Sequence, residues 1–283
     1  MSKYLVTGGA GFIGSHLVDR LVKSGHEVLV WDNLSTGKAE NVNPLAHLVR
    51  LDVSKRNLQF FIDRGFDTVF HLAALPRIQP SFDSPVETHQ SNVDSMVYAL
   101  EHARQFGCKV IFAGSSSIYH DQYANPYTFT KVLCEQYCEM YNKIYKVPVA
   151  IARFFNVYGP RQIEEGAYAT VVGVFEKQKR KNVPLTITGT GEKRRDFTHV
   201  NDIVSGLVAM SKDRWNAEVF NLGSGRNHSI NELAAMFNHP TTYIPNRPGE
   251  ATDTLADIAY SMEKLGWEPK HQLEEYVKMT ISK

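Results

Sequence analysis

Short apolar runs alternate with longer stretches of helical period through the first half of the chain. Runs rich in β-branched and aromatic residues over 4–7, 27–31, 46–51, 68–72, 109–113 and 147–154 predict strands. Between them, 12–23 places Phe12, Ile13, Leu17, Leu21 and Val22 at the spacing of one helix face, and 86–104 and 127–146 read as further helices. The run Val-Ile-Phe-Ala over 110–113 shows no polar alternation, which suits a strand covered on both sides. Repetition of strand, helix, strand with such strands predicts an α/β fold built on a doubly wound parallel sheet.

The pattern changes after Asn156-Val-Tyr-Gly-Pro160, where Gly and Pro punctuate the chain. A helix over 167–181, a strand over 185–188, a Gly-rich turn at 189–191, a helix over 201–210, a strand over 219–222 and several short helices are expected there. This divides the chain into 1–158 and a smaller mixed α/β unit, 159–283, some of whose segments return to pack on the first. The chain's 283 residues are 43% apolar and 22% charged, enough for a substantial core. Lys and Arg total 31 against 30 Asp and Glu, so the basic excess of a nucleic-acid or anionic-membrane binder is missing. No apolar run approaches the about 20 residues that cross a bilayer. The start passes straight into a strand, which predicts no signal peptide. Cys108, Cys134 and Cys138 are too few and too ill-spaced for a disulfide framework or a zinc quartet, so no metal is expected. Reduced thiols in the cytoplasm are the expectation. The basic stretch 177–181 ends a helix, where cations complement the dipole.

Gly8-Gly-Ala-Gly11-Phe-Ile-Gly14 lies between the first strand and the first helix. Gly8 permits the tight turn, Gly11 lets a pyrophosphate approach the backbone, and Gly14 lets the helix lie close to the sheet. The phosphates then meet unpaired N–H groups at a helix N-terminus. Asp32 ends the second strand, 18 positions past Gly14, where a carboxylate accepts from the adenosine ribose and repels a 2′-phosphate. NAD is therefore favoured over NADP, on a Rossmann-like sheet. Asp52-Val53 follows the third strand; it can meet the adenine or cap a helix.

Tyr127 and Lys131 stand four apart at the start of a helix and share a face. An ammonium there stabilises negative charge on the phenol oxygen, as proton abstraction from an alcohol requires. Tyr260 and Lys264 repeat this spacing, but no ligand-facing strand precedes them, so their role is read as structural. Gly114-Ser115-Ser116-Ser117 follows a strand end just before Tyr127, where open α/β sheets bind their ligands.

With these residues in place, the sequence resembles the extended short-chain dehydrogenase/reductase superfamily, in its nucleotide-sugar epimerase/dehydratase branch. The resemblance spans nearly the whole chain. It includes Thr7-Gly-Gly-Ala-Gly-Phe-Ile-Gly-Ser15, Asp32-Asn-Leu-Ser35, His71-Leu-Ala-Ala74, Ser115-Ser-Ser-Ile-Tyr119 and Tyr127 with Lys131. Further on it includes Arg153-Phe-Phe-Asn-Val-Tyr-Gly-Pro-Arg161, Arg195-Asp-Phe-Thr-His-Val-Asn-Asp202, Phe220-Asn-Leu-Gly223 and Leu265-Gly-Trp-Glu-Pro269. The resemblance implies that Ser115, Tyr127 and Lys131 are catalytic, with Lys131 also holding the nicotinamide ribose. It implies that Phe12, Ile13, Asn33, Ser35, Leu72, Ala73, Ala74, Asn92 and Phe154 join the glycines, Asp32, Asp52 and Val53 around the cofactor. Ser116, Asn156, Thr186, Thr188, Arg195, Arg247 and Glu250 are implied as substrate ligands. The arginines suit a diphosphate, because guanidinium groups offer forked donors to phosphate oxygens.

Relatives divide by what accompanies this set. The 4,6-dehydratases carry Asp-Glu where Ser116 and Ser117 stand here, and sugar-nucleotide decarboxylases usually place Glu at the second position. The GDP-fucose-forming epimerase/reductases have Cys at the position of Ser117 and His at that of Arg161. The remaining set suffices for 4-epimerisation of a UDP-sugar (glucose/galactose, or an N-acetyl or uronate analogue) through a transient 4-keto sugar. Other reactions of the branch, or a non-catalytic NAD-binding regulator, are the alternatives. The resemblance also implies a homodimer through 86–104 and 127–146, where Val132, Leu133, Tyr137, Met140, Tyr141 and Ile144 serve that interface or the protomer's own core. Ser115 and Tyr127 are only 12 positions apart, closer than in most relatives, so 120–126 must return tightly.

Overall fold

The computed structural model describes residues 1–55 and 65–282. The chain begins with β1 (Lys3–Thr7), α1 (Phe12–Lys23), β2 (Glu27–Asp32), β3 (His47–Arg50) and β4 (Thr68–His71). Next come α2 (Ile78–Asp83), α3 (Pro85–His89), α4 (Ser95–Phe106), β5 (Lys109–Ser115), α5 (Pro126–Tyr145) and β6 (Val149–Phe154). The later part supplies β7 (Asn156–Tyr158), α6 (Val171–Arg180), β8 (Leu185–Thr188), β9 (Arg194–His199), α7 (Val200–Met210) and β10 (Asn216–Leu222). It closes with β11 (Asn227–Ser229), α8 (Ile230–Met236), β12 (Thr241–Ile244), α9 (Ala259–Leu265) and α10 (Leu273–Ile281).

Seven parallel strands form the main sheet in the order β10-β6-β5-β4-β1-β2-β3. The order reverses beside β1, and such a reversal opens a crevice at the carboxyl ends of the strands. In-register pairing of Thr7 with Trp31 and His71, and of Ser115 with Phe154, brings those ends to one level. One apolar layer packs Leu5, Trp31, Met96, Leu100, Phe112 and Ile151 on one face; another packs Val6, Leu17, Phe70, Ile203, Leu207 and Phe220 on the other. Burial on both faces explains why these strands read as unbroken apolar runs. A third cluster, with Tyr158, Phe175, Leu185, Phe197 and Phe237, underlies a three-stranded sheet (β11-β9-β7) and the pair β12-β8.

The six strands expected in the first half are present, with 46–51 and 147–154 trimmed to His47–Arg50 and Val149–Phe154. One helix expectation is corrected and another refined. The helix expected over 86–104 is present, with a wider π-helical turn, Gln90–Asp94, between α3 and α4. That turn buries Asn92, whose Oδ1 accepts from the Leu75 amide at 2.8 Å and whose Nδ2 donates to Thr130 Oγ1 at 3.0 Å. The helix expected over 167–181 begins only at Val171, because Thr170 is extended and caps it, accepting from the Gly173 amide. All three cysteines are buried and free, and burial pushes the Cys108 and Cys134 thiols up to about 12. No helix among the described residues is long and apolar enough to cross a membrane.

Candidate active site

The crevice is a cavity of about 510 Å³ that runs from the α1 turn to β8 and the loop after β12. At its dinucleotide end, Gly8 has φ +72°, and a Cβ there would come within 2.8 Å of the Ala73 amide nitrogen. A Cβ on Gly14 would overlap the Gly8 carbonyl. These two positions let strand turn and helix meet without a side chain between them. No side chain caps α1 and no acidic residue lies in its first turn, so the helix start is left to an anion. Asp32, buried at the end of β2, accepts from the Ala10 and Leu34 amides at 3.0 and 2.8 Å. A carboxylate held by one donor per oxygen still has acceptor capacity for ribose hydroxyls. The residues present thus fit a dinucleotide: a cradle that side chains would fill, an uncapped helix start and a fixed carboxylate. Asp52 lines the same end; burial opposes its charge, but hydrogen bonds from Ser54 and the nearby Lys55 hold it below the usual carboxylate range.

The middle of the cavity is set by β5 and α5. Asn125 caps α5, accepting from the Thr128 amide at 2.8 Å, and Pro126 opens its first turn. Tyr127 is thereby fixed in that turn, with its amide donating to Ser81 Oγ at 3.1 Å. One helical turn on, Lys131 is buried and donates to the Ala113 carbonyl at 2.8 Å, with Nζ 6.0 Å from the Tyr127 ring centre. Ser115 ends β5; its Oγ donates to Ser117 Oγ at 3.0 Å and accepts from the Ser117 amide at 3.2 Å. The short return from Ser115 to Tyr127 is made by a 3₁₀ turn, Ser116–Tyr119, and by an Asx turn in which Asp121 accepts from the Tyr123 amide.

At the far end, Thr186 and Thr188 of β8, Arg195 of β9, Arg247 and Glu250 face the cavity with Asn156 of β7. Glu250 stands 3.6 Å from Lys193 and 3.8 Å from Arg195. Ser116, Phe154, Asn33, Ser35, Val53, Leu72, Ala73 and Ala74 also line it, as do Gly11, Phe12 and Ile13. Of the residues assigned from the sequence to catalysis, cofactor or substrate, Asn92 alone is not on the cavity wall; it acts through the Leu75 backbone instead. Tyr260 and Lys264 lie elsewhere, with Tyr260 stacked on Phe220 at 5.6 Å.

Several residues escaped the sequence reading. Arg77 and Lys193 line the cavity, and Glu135 and Arg153 form a largely buried ion pair beneath it. Glu135 is one turn beyond Lys131, so the helical spacing that linked Tyr127 to Lys131 also pointed to it. His71, under the α1 turn, accepts from or donates to Thr7 Oγ1 at 2.9 Å and Ser95 Oγ at 3.1 Å. Burial, then the nearby Lys131 ammonium, lowers His71 from its ordinary 6.5 to about 3. The unfolded chain therefore takes up a proton below pH about 6.5 that the folded chain refuses until about pH 3. Folding stability is expected to fall on acidification through that window, by up to about 1.4 kcal/mol per pH unit for this group. Urea unfolding at pH 7.5 and at pH 5 checks this; His71→Asn should remove part of the slope, and an unchanged slope refutes the assignment.

A sheet reversed beside a glycine turn, with a phenol and an ammonium at its crevice, defines a dinucleotide-binding protein with acid–base chemistry at hand. The chain belongs to the NAD dependent epimerase/dehydratase family, whose model matches residues 4–223. NAD is its dinucleotide. The structure is similar to that of UDP-glucose 4-epimerase with UDP-glucose from Thermotoga maritima, 34% identical over 99% of this chain and 97% of that one, with a TM-score of 0.94. UDP-glucuronic acid 4-epimerase from Bacillus cereus, in complex with UDP-glucuronic acid and NAD, is 30% identical over 99% and 98%, with a TM-score of 0.89. In sequence, UDP-glucuronic acid decarboxylase 1 of Arabidopsis thaliana is 33% identical over an alignment that covers 99% of this chain and 69% of that protein.

Proposed function

We propose that the protein inverts C4 of a UDP-sugar through a transient 4-keto sugar. The observation that carries this reading is the composition of the cavity around Tyr127. Ser115, Tyr127 and Lys131 meet there, and Ser116 and Ser117 stand where elimination in dehydratase relatives uses a carboxyl pair. Bound NAD supplies the hydride acceptor and, after the ketone turns over, the donor. Tyr127 takes the proton from O4 as the carbinol is oxidised and returns it when the carbinol re-forms with the opposite hand. Ser115 Oγ hydrogen-bonds O4 in both of its protonation states. Lys131, anchored on the Ala113 carbonyl, keeps positive charge beside the phenol while that oxygen is charged. Arg195 and Arg247 bind the diphosphate, Glu250 accepts from the nucleotide ribose, and β8 lies along the base.

A homodimer through α3, α4 and α5 accompanies this reading, supported by the exposure of Val86 and Ile144, whereas Leu133, Tyr137 and Met140 pack in part against the protomer's own core. A cytoplasmic setting is supported by three free buried thiols.

The test is NMR of protein incubated with UDP-glucose, UDP-N-acetylglucosamine and UDP-glucuronic acid, with no added oxidant. Inversion at C4 of at least one sugar, at constant NAD, is the expected result. Loss of CO2 or of water from the sugar, or no reaction across the panel, overturns the proposal.

A further inference from the structure

Arg77 stands on the loop between β4 and α2 and lines the cavity with Tyr127 and Tyr168. Its Nε donates to the Tyr168 carbonyl at 3.0 Å, which ties the guanidinium to the opposite wall. Its two terminal nitrogens have no hydrogen-bond partner, and its charge no ion-pair partner, among the described residues. Burial lowers its pKa, the fields of Tyr127 and Glu250 favour its charge, and that of Arg247 opposes it. Arg77 is half-buried on the cavity wall and held at Nε, so its two unpaired terminal nitrogens are donors kept in place for an anionic ligand.

Which anion it meets follows from position. The nucleotide end already holds Lys193, Arg195 and Arg247, and Glu250 faces the first two. Asp32 and Asp52 lie at the dinucleotide end, and Asp121 is turned to the Tyr123 amide. Arg77 instead shares the wall with Tyr127, where the sugar reacts. Its free terminal nitrogens form a planar pair of donors, the match for a carboxylate. We infer that Arg77 reads a carboxylate on the sugar ring, so that the substrate is a UDP-uronic acid and not a neutral UDP-hexose. This rests on the UDP-sugar reading of the cavity and narrows its sugar class.

Titration calorimetry on the NAD-loaded protein tests it, with UDP, UDP-glucose and UDP-glucuronic acid as probes. UDP-glucuronic acid should bind about tenfold or more tighter than UDP-glucose, the effect of one charged, forked hydrogen bond. Arg77→Gln should erase that preference while holding UDP affinity to within about twofold. Arg77→Lys, which keeps the charge and loses the fork, should retain part of it, and serves alone if the Gln variant does not fold. Equal affinity of the wild type for the two sugars overturns the inference. So does a parallel loss of UDP binding in the variants, which would assign Arg77 to the diphosphate. The readout needs no turnover. A protein that shows the preference but never inverts C4 sinks the epimerase proposal and leaves Arg77 assigned; one that inverts both sugars without preference does the reverse.

Discussion

Tyr127→Phe is expected to lower the rate of the proposed C4 inversion by about 10²–10⁴-fold, the range for removing a positioned general acid–base group. The change deletes one oxygen and keeps the buried ring. The backbone bonds that hold the position, from its amide to Ser81 Oγ and from Thr130 Oγ1 to its carbonyl at 2.7 Å, do not involve the phenol. Cofactor binding and thermal stability should therefore change little. Initial rates followed by NMR, beside calorimetric NAD titration, separate the two properties. A variant that still turns over within about tenfold of the wild type removes Tyr127 from the chemistry, since a positioned group contributes more than that.

The second large effect lies below the cavity. Arg153, near the end of β6, meets Glu135 of α5 twice, Nε to Oε1 at 3.0 Å and Nη2 to Oε2 at 2.6 Å. Its guanidinium also lies 4.8 Å from the Tyr119 ring centre. Arg153→Ala strands the Glu135 carboxylate against the sheet and should cost about 3–5 kcal/mol of folding stability, as breaking a buried pair does. The double variant Arg153→Met with Glu135→Leu should recover most of that loss, because two apolar side chains of similar volume need no pairing. Urea unfolding of the single and double variants decides it. A loss under about 1 kcal/mol in Arg153→Ala would show the pair to be solvated, with the energetics of a surface bridge.

The sheet was legible because its strands are buried on both faces: 110–113 has no reason to carry a polar residue until the chain reaches Ser115 on the cavity wall. The dinucleotide end was legible for a related reason. Backbone approach leaves a glycine at each point of contact, and the Gly8–Ala73 and Gly14–Gly8 approaches are such points. By contrast, the π-helical turn between α3 and α4 left no trace in hydrophobic period. It arises from Asn92 turning inward to hold Leu75 and Thr130, a tertiary demand that a helical pattern does not announce. The short strand β9 was hidden for a similar reason: Arg194 and Arg195 look like a charged surface, whereas Asp196 is fully buried and gathers the Ser224, Gly225 and Ala256 amides. Arg77 sits in a loop with no repeat to read, so only its position in space gives it meaning.

The outermost strand of the main sheet on one side, β10, is synthesised after β7, α6, β8, β9 and α7. During translation, β6 therefore waits with a bare hydrogen-bonding edge until Leu222 has left the ribosome. A nascent chain halted after Tyr158 would present that edge to its neighbours. The late arrival of β10 thus couples completion of the first half to emergence of most of the second, and makes a stalled ribosome a source of aggregation.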